Sequence, residues 1–462
     1  MTIGGRGEKF FAPTCVLPLL GKGRGCKGNG LLIMFEKHYD IVIIGAGPAG
    51  LMAGIESYQP SKKILILEKM PRPALKLRIS GKGRCNITND ASLEEFLSHF
   101  GKNGRFLKFA FTEFFNTDLL QYFEKLGVTF KLEQGGRYFP QNDKALEIVE
   151  ALLNKVKSLK ILLAVNSEVT GITKLPDGKF SLAINKKNPV EGKVSQSISI
   201  HADNVLLATG GKSYPRTGSS GTGYKLAAHL GHIVTPVLPA LVPIETKGDT
   251  AKKLQGLSLR NVKAKILVNN KKIDERFGEM LFTDFGVSGP IILSLSGTVV
   301  KLLQEKQKVV LAIDLKPALD HEILDKRLLR EINENSRQSF KSLLKKLLPR
   351  KLMPVFIEKL KISEIKELNQ ITVEERKQLR MLLKEFLFEV TGYRSFDEAI
   401  VTSGGVSIKE INPQTMESKL IKGLYFAGEI IDIDADTGGF NLQAAFSTGW
   451  VAGRAFCRTA VS

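Results

Sequence analysis

Residues Tyr39–Gly50 read YDIVIIGAGPAG. The β-branched run ending at Ile44 predicts a buried strand, and Gly45, Gly47 and Gly50 follow it at the spacing of a dinucleotide fingerprint. The first glycine permits a tight turn. The second lets a pyrophosphate approach the backbone, and the third lets a helix lie close against the strand. That helix is predicted to start near Pro48 and Ala49, so its unpaired amides and positive end face the phosphate position.

A single glycine fingerprint also occurs in ordinary strand-turn-helix units, so its context decides. Lys63–Leu67 (KILIL) predicts a second strand, and Glu68, followed by Lys69, falls about 20 residues beyond the glycines, where a carboxylate accepts both ribose hydroxyls. An acid there disfavours a 2′-phosphate. The fold class is therefore α/β with a Rossmann-like domain, and the ligand is FAD or NAD.

The chain has 462 residues, 43% of them hydrophobic, and no apolar run long enough to span a membrane. Several domains and a cytoplasmic location are expected. Four cysteines without CxxC spacing indicate neither a zinc site nor a disulfide framework. The formal net charge of +20 suits a polyanionic partner such as RNA, although a basic enzyme without such a partner has the same composition. Residues 1–37 are glycine-rich and basic and are read as a disordered extension, a transit leader, or a segment preceding a natural start at Met34.

Beyond Glu68, residues 74–89 (ALKLRISGKGRCNITN) are dense in glycine, cations and amides. In flavoproteins of the glutathione reductase type, the corresponding segment runs along the pyrophosphate and often carries a cysteine pair. Here Cys85 stands alone. It is either a proton donor or a small buried residue. Lys76 and Arg84 are candidate phosphate contacts, Ser80 and Gly81 belong to the same loop, and Asn86 is a candidate polar contact to flavin or substrate. Residues 93–127 have apolar positions at helical spacing, and Ile161–Thr173, Phe180–Ile184 and Ser197–Ile200 are β-rich, with Val169 expected near adenine. In NVLLATGG, Ala208, Thr209 and Gly210 are small enough to pass beside a cofactor. The GSSGTG run at 218–223 is a weaker candidate for a second nucleotide loop. Without it, NAD(P)H would bind transiently near the flavin.

Short strands from about Pro236, with a hairpin at Asn269–Asn270, predict a smaller β-rich domain, and residues 280–290 a turn able to line a pocket. Residues 317–388 are helical, with a basic row at Arg337, Lys341 and Lys345. GLYFAGE (423–429) and DTGGFNLQAA (436–445) then close the flavin site. Gly428 and Glu429 face the ribityl chain, and the helix opening at Gly439, Phe440, Asn441 and Leu442 directs its positive end at the flavin. The FAD domain is therefore discontinuous, at 38–215 and 413–462, around a β-rich insert at 216–316 and 389–412 and a helical insert at 317–388.

With SGKGRCNITN, ATGGKSYPRTG, FTDFGVSGP, VTSGGV and GLYFAGEIIDIDADTGGFNLQAA in order, the chain resembles the BaiN/RdsA family of bacterial NAD(P)/FAD-dependent oxidoreductases, also labelled aminoacetone oxidase-like, over residues 38–455. The resemblance implies an FAD domain, a β-barrel-like insert and a helical insert, with NAD(P)H as transient electron donor. It departs at Lys82, where the family pattern has glycine, and at Asp284, where it often has histidine. Cys85, Asn86 and Asp284 are the candidate catalytic residues. Implied activities are reduction of an activated carbon-carbon double bond, in uridine of large-subunit ribosomal RNA or in a steroid-like enone. Amine oxidation, and a non-catalytic RNA-binding role, are the alternatives. Oligomeric state stays open.

Overall fold

The computed structural model describes residues 35–188 and 192–458, so the basic N-terminal stretch read as an extension lies, through residue 34, outside the described residues. The strand β1 (His38–Ile44) is buried from Ile41 onward on both faces, as its continuous β-branched sequence requires. It runs parallel to β2 (Ile64–Leu67) on one side and to the end of strand Val194–Leu207 on the other, with Ile44 opposite both Leu67 and Leu207. The seven-stranded sheet continues outward through Leu162–Ala164 beyond β2. On the far side it continues through the antiparallel strands Phe180–Lys187 and Ser167–Lys174. Leu424–Phe426 returns to pair parallel with Val205–Leu207. The parallel strands thus end together, which gathers their following loops at one edge.

The helix α1 (Pro48–Glu56) is buried from Ala49 to Ile55 because the sheet covers one side and the helix Phe440–Arg458 the other. Glycine makes that second contact possible. A Cβ on Gly449 would lie 2.3 Å from Ala49 O, and one on Gly453 2.6 Å from Ala53 O, so the two backbones nearly touch. The helical spacing of residues 93–127 is realised as four short pieces, Leu93–Ser98, Gly101–Leu107 as a 3₁₀ segment, Lys108–Glu113 and Asn116–Glu124. Gly101, at φ +55°, breaks the run after the first piece, and extended Phe114 breaks it again.

The β-rich part closes into a six-stranded barrel of Ile244–Thr246, Gly286–Ser288, Lys271–Phe282, Ser258–Val268, Val309–Asp314 and Phe386–Tyr393. Asn269 and Asn270, at φ +49° and +61°, form the tight hairpin turn between two of its strands. Helices His321–Glu334, Phe340–Leu347, Met353–Leu360 and Val373–Lys384 pack on this barrel through one continuous core in which Phe340, Leu344 and Phe356 join Ile266, Phe282 and Phe386. At its edge Lys384 pairs with buried Asp314 at 2.6 Å and donates to Leu319 O at 2.6 Å. Among the described residues no helix is long and apolar enough to cross a membrane.

Candidate functional site

A cavity of about 330 Å³ opens where the parallel strands end. The glycine turn forms one wall, and the three glycines do separate work. A Cβ on Gly45 would sit 2.4 Å from Ala208 O, so the turn and the 208–210 loop pass in backbone contact at φ +106°. At Gly47 a Cβ would meet no protein atom within 4 Å, and the residue lines the cavity. Gly50 does not line it. A Cβ there would fall 1.9 Å from Gly45 O, which would push α1 off its turn. Pro48 and Ala49, at the start of α1, complete the wall.

Glu68 ends β2 at the cavity, with Lys69 beside it. Its carboxylate accepts from Ala46 N at 3.0 Å and Met70 N at 2.8 Å, and burial pushes its pKa upward against those two bonds. Ser167, Glu168 and Val169 join this wall because Ser167 N donates to Glu68 O at 2.8 Å. Gly218, at φ +110°, brings the GSSGTG run to the same place. A Cβ on it would lie 3.7 Å from Glu68 Oε1. That run follows a 3₁₀ turn (Pro215–Thr217), and Gly218, Ser219 and Thr222 line the first cavity, so the run is part of one nucleotide site and not a second. Its isolated sequence had nothing to show this.

A third wall combines Ser80, Gly81 and Asn86 with Gly439, Asn441 and Leu442. A Cβ on Gly439 would meet Thr88 O at 2.5 Å, and Asn89 Nδ2 donates to Gly438 O at 3.0 Å, so the two segments are in contact. Asn441 Oδ1 accepts from Ala435 N at 3.0 Å and fixes the turn before the helix. Gly428, Glu429, Lys76, Ala208, Thr209 and Gly210 also line the cavity.

Four predicted residues lie outside the cavity wall besides Gly50. Arg84 does not line the cavity. Its guanidinium is held by Glu133 and by Asp143, the latter at 2.7 Å from Nε, and stacks 4.1 Å over the Phe139 ring. Cys85 is fully enclosed at φ +61°, and burial pushes its thiol up to about 12. Phe440 packs in an aromatic cluster, 4.7 Å from Phe96 and stacked at 3.9 Å on His99. Asp284 is exposed in the barrel turn after Phe282, and residues 280–290 contribute nothing to this cavity. Lys82 is exposed, also outside the cavity, at φ +59°, a conformation suited to the glycine it replaces.

Two side-chain atoms identify where a bound group is needed. Asn86 Oδ1 and Thr209 Oγ1 are buried and have no hydrogen-bond partner among the described residues, and both residues line the cavity. An unpaired buried polar atom costs on the order of 1–3 kcal/mol, which a polar ligand atom relieves. Together with open space at Gly47, a carboxylate at Glu68 and a helix start at Pro48, the wall fits a flavin dinucleotide.

A family model described as HI0933-like protein Rossmann domain matches residues 39–455. The chain is 30% identical over 417 residues to a 3-dehydro-bile acid delta(4,6)-reductase of Clostridium scindens, covering 90% of this chain and 98% of the relative. It is also 30% identical over 414 residues to a ribosomal RNA dihydrouridine synthase of Escherichia coli, covering 90% and 97%. Among solved structures, a 3-ketosteroid-delta4-(5alpha)-dehydrogenase of Rhodococcus jostii aligns with a TM-score of 0.50 at 14% identity, covering 92% of this chain and 98% of that one, which is a likeness of fold. The chain belongs to the HI0933-like Rossmann-domain family and is an FAD-dependent oxidoreductase.

Proposed function

We propose that this protein uses NAD(P)H to reduce an activated carbon-carbon double bond, with uridine in large-subunit ribosomal RNA as the substrate. When bound, FAD supplies the two-electron chemistry that links a nicotinamide donor to an alkene acceptor. The chain's residues bind it through the Gly45–Gly47 turn and Glu68, and leave Asn86 and Thr209 to satisfy polar atoms at the cavity.

The observation that favours RNA is charge. The chain carries +20, and on the helical insert Arg330, Arg337, Lys345, Arg350 and Lys361 are exposed without an ion-pair partner among the described residues. Other cations there are neutralised: Lys341 pairs with Glu364 at 2.8 Å and Lys346 with Glu331 at 2.9 Å. Unpaired exposed cations attract a phosphate backbone and release its counterions. A base inside folded RNA must be unstacked to reach an enclosed cavity, and backbone contacts offset that cost.

A second reading, reduction of a small apolar enone, is favoured by Leu241, Ile400, Val401 and Ile433 on the same cavity wall. The experiment is anaerobic. The flavin is reduced, large-subunit ribosomal RNA lacking the modification is added, and oxidised-flavin absorbance is followed with dihydrouridine analysis. Reoxidation with dihydrouridine formation supports RNA as substrate. Reoxidation by an enone and not by RNA moves the substrate to the small-molecule class.

A further inference from the structure

We propose that Lys76 is the proton donor in the alkene reduction, presented to the cavity by Glu429 and Ser213. The inference rests on the alkene-reductase reading above. Reducing a double bond requires a hydride and a proton, and the residues first considered for the proton are badly placed. Cys85 is enclosed and does not line the cavity; Asp284 is exposed on a barrel turn away from it. Asn86 lines it but is no acid.

Lys76 lines the cavity from α2 (Leu75–Ile79), with its side chain 26% exposed. An ammonium has three N–H donors. One goes to Glu429 Oε2 at 2.6 Å and one to Ser213 Oγ at 2.5 Å, which leaves a third without a partner among the described residues. The holders are themselves held. Glu429 Oε1 accepts from Thr402 N at 2.8 Å, and Ser213 N donates to Thr402 Oγ1 at 3.1 Å. Two residues far from Lys76 in sequence thus hold its nitrogen directly, and a third, Thr402, holds both of them. As a stabilising device a part-exposed ion pair contributes about 0–1 kcal/mol, little return for such fixed geometry. As a phosphate contact, an ammonium already neutralised by Glu429 is poorly suited. Holding a proton at a fixed point is what the arrangement does well.

The step balances. When bound, FAD would supply the hydride for a C–H bond at the β-carbon of the unsaturated carbonyl, and the π pair would move toward the α-carbon and carbonyl. The α-carbon then forms a bond to a proton as a Lys76 N–H bond breaks. The neutral amine left beside the Glu429 carboxylate regains its proton from water. The cofactor, oxidised by two electrons, is reduced again by NAD(P)H.

The test uses FAD-loaded protein with Lys76→Met and Lys76→Gln, prepared anaerobically. Compared per bound FAD, the expected result is reoxidation by the alkene slowed 10²- to 10⁴-fold. Reoxidation by ferricyanide, which takes electrons without protonating carbon, stays fast. A readout independent of turnover is amine acetylation of wild type followed by mass spectrometry, in which saturated product shields Lys76. Loss of FAD from both variants would make Lys76 a cofactor-binding residue and overturn the proposal. So would unchanged alkene reoxidation, or acetylation insensitive to product. Failure of wild type itself to pass electrons to any alkene would instead remove the underlying reading, and the inference with it.

Discussion

Thr88 Oγ1 donates a 2.7 Å hydrogen bond to Gln443 Oε1, joining residues 355 positions apart in a fully buried place. Gln443 Nε2 donates to Ser447 Oγ at 3.0 Å, and Ser447 Oγ donates to Phe114 O at 2.7 Å. The chain of bonds fixes the start of the closing helix against the loop that carries Asn86. Gln443→Leu leaves the Thr88 hydroxyl without its acceptor, so a loss of about 1–3 kcal/mol is expected in urea unfolding, together with reduced FAD content.

Gly47 and Gly50 separate binding from folding. Gly47→Ala puts a methyl into open cavity space, so the protein should fold with native circular dichroism while FAD affinity drops at least about tenfold, read by fluorescence titration. Gly50→Ala forces a methyl to 1.9 Å from Gly45 O and should yield little soluble protein, with flavin absent from what is recovered.

Cys85 should be dispensable for chemistry. Its thiol is enclosed and pushed up to about 12 by burial, so native protein should resist iodoacetamide at pH 8. Cys85→Ala should keep alkene-dependent flavin reoxidation within about twofold of wild type; a hundredfold loss would return Cys85 to the reaction.

His232 sets a limit on acid stability. Its ring is fully buried between Glu410 Oε2, 3.1 Å from Nδ1, and Ser418 Oγ, 3.0 Å from Nε2. Ser418 Oγ also accepts from Leu420 N and Ile421 N, so its own hydrogen points at Nε2, which must be unprotonated. Burial lowers the histidine pKa, with the Glu410 bond opposing it only in part. The unfolded chain therefore binds the proton more readily. Stability is complete above the unfolded value of about 6.5 and is lost as pH falls through and below it. Between pH 7 and 5, His232→Gln should flatten the decline in urea midpoint relative to wild type, though starting from a lower stability.

Electrostatics on the helical insert can be tested apart from the redox site. Reversing Arg337 and Lys345 to Glu should weaken RNA binding and lower the salt slope by about 1–2, while reduction of bound FAD by NAD(P)H is unchanged. An unaltered slope would place the RNA contact elsewhere.

Legibility in the sequence followed the range of the interactions. The glycine turn, β1, α1 and β2 were readable because steric and phosphate demands act within a few residues, and Asn269–Asn270 marked its hairpin for the same reason. The carboxylate partners of Arg84, Glu133 and Asp143, were not legible because they come from 49 and 59 residues away. Lys76 and Glu429 were each legible as cavity residues, yet their pairing across 353 positions was not. The 218–223 run was a weak candidate for a second nucleotide loop, and only the folded chain sets Gly218 against Glu68. Breaks at Gly101 and Phe114 escaped a periodicity that continues on both sides of them.

The contact of Gly449 and Gly453 with the backbone of α1 bears on how the protein is made. A ribosome synthesises the phosphate-binding turn early, but the helix that covers α1 emerges only after the barrel and its helices have been translated. During most of synthesis the nascent chain exposes α1 as an uncovered apolar surface. The covering of α1 therefore belongs to the end of translation.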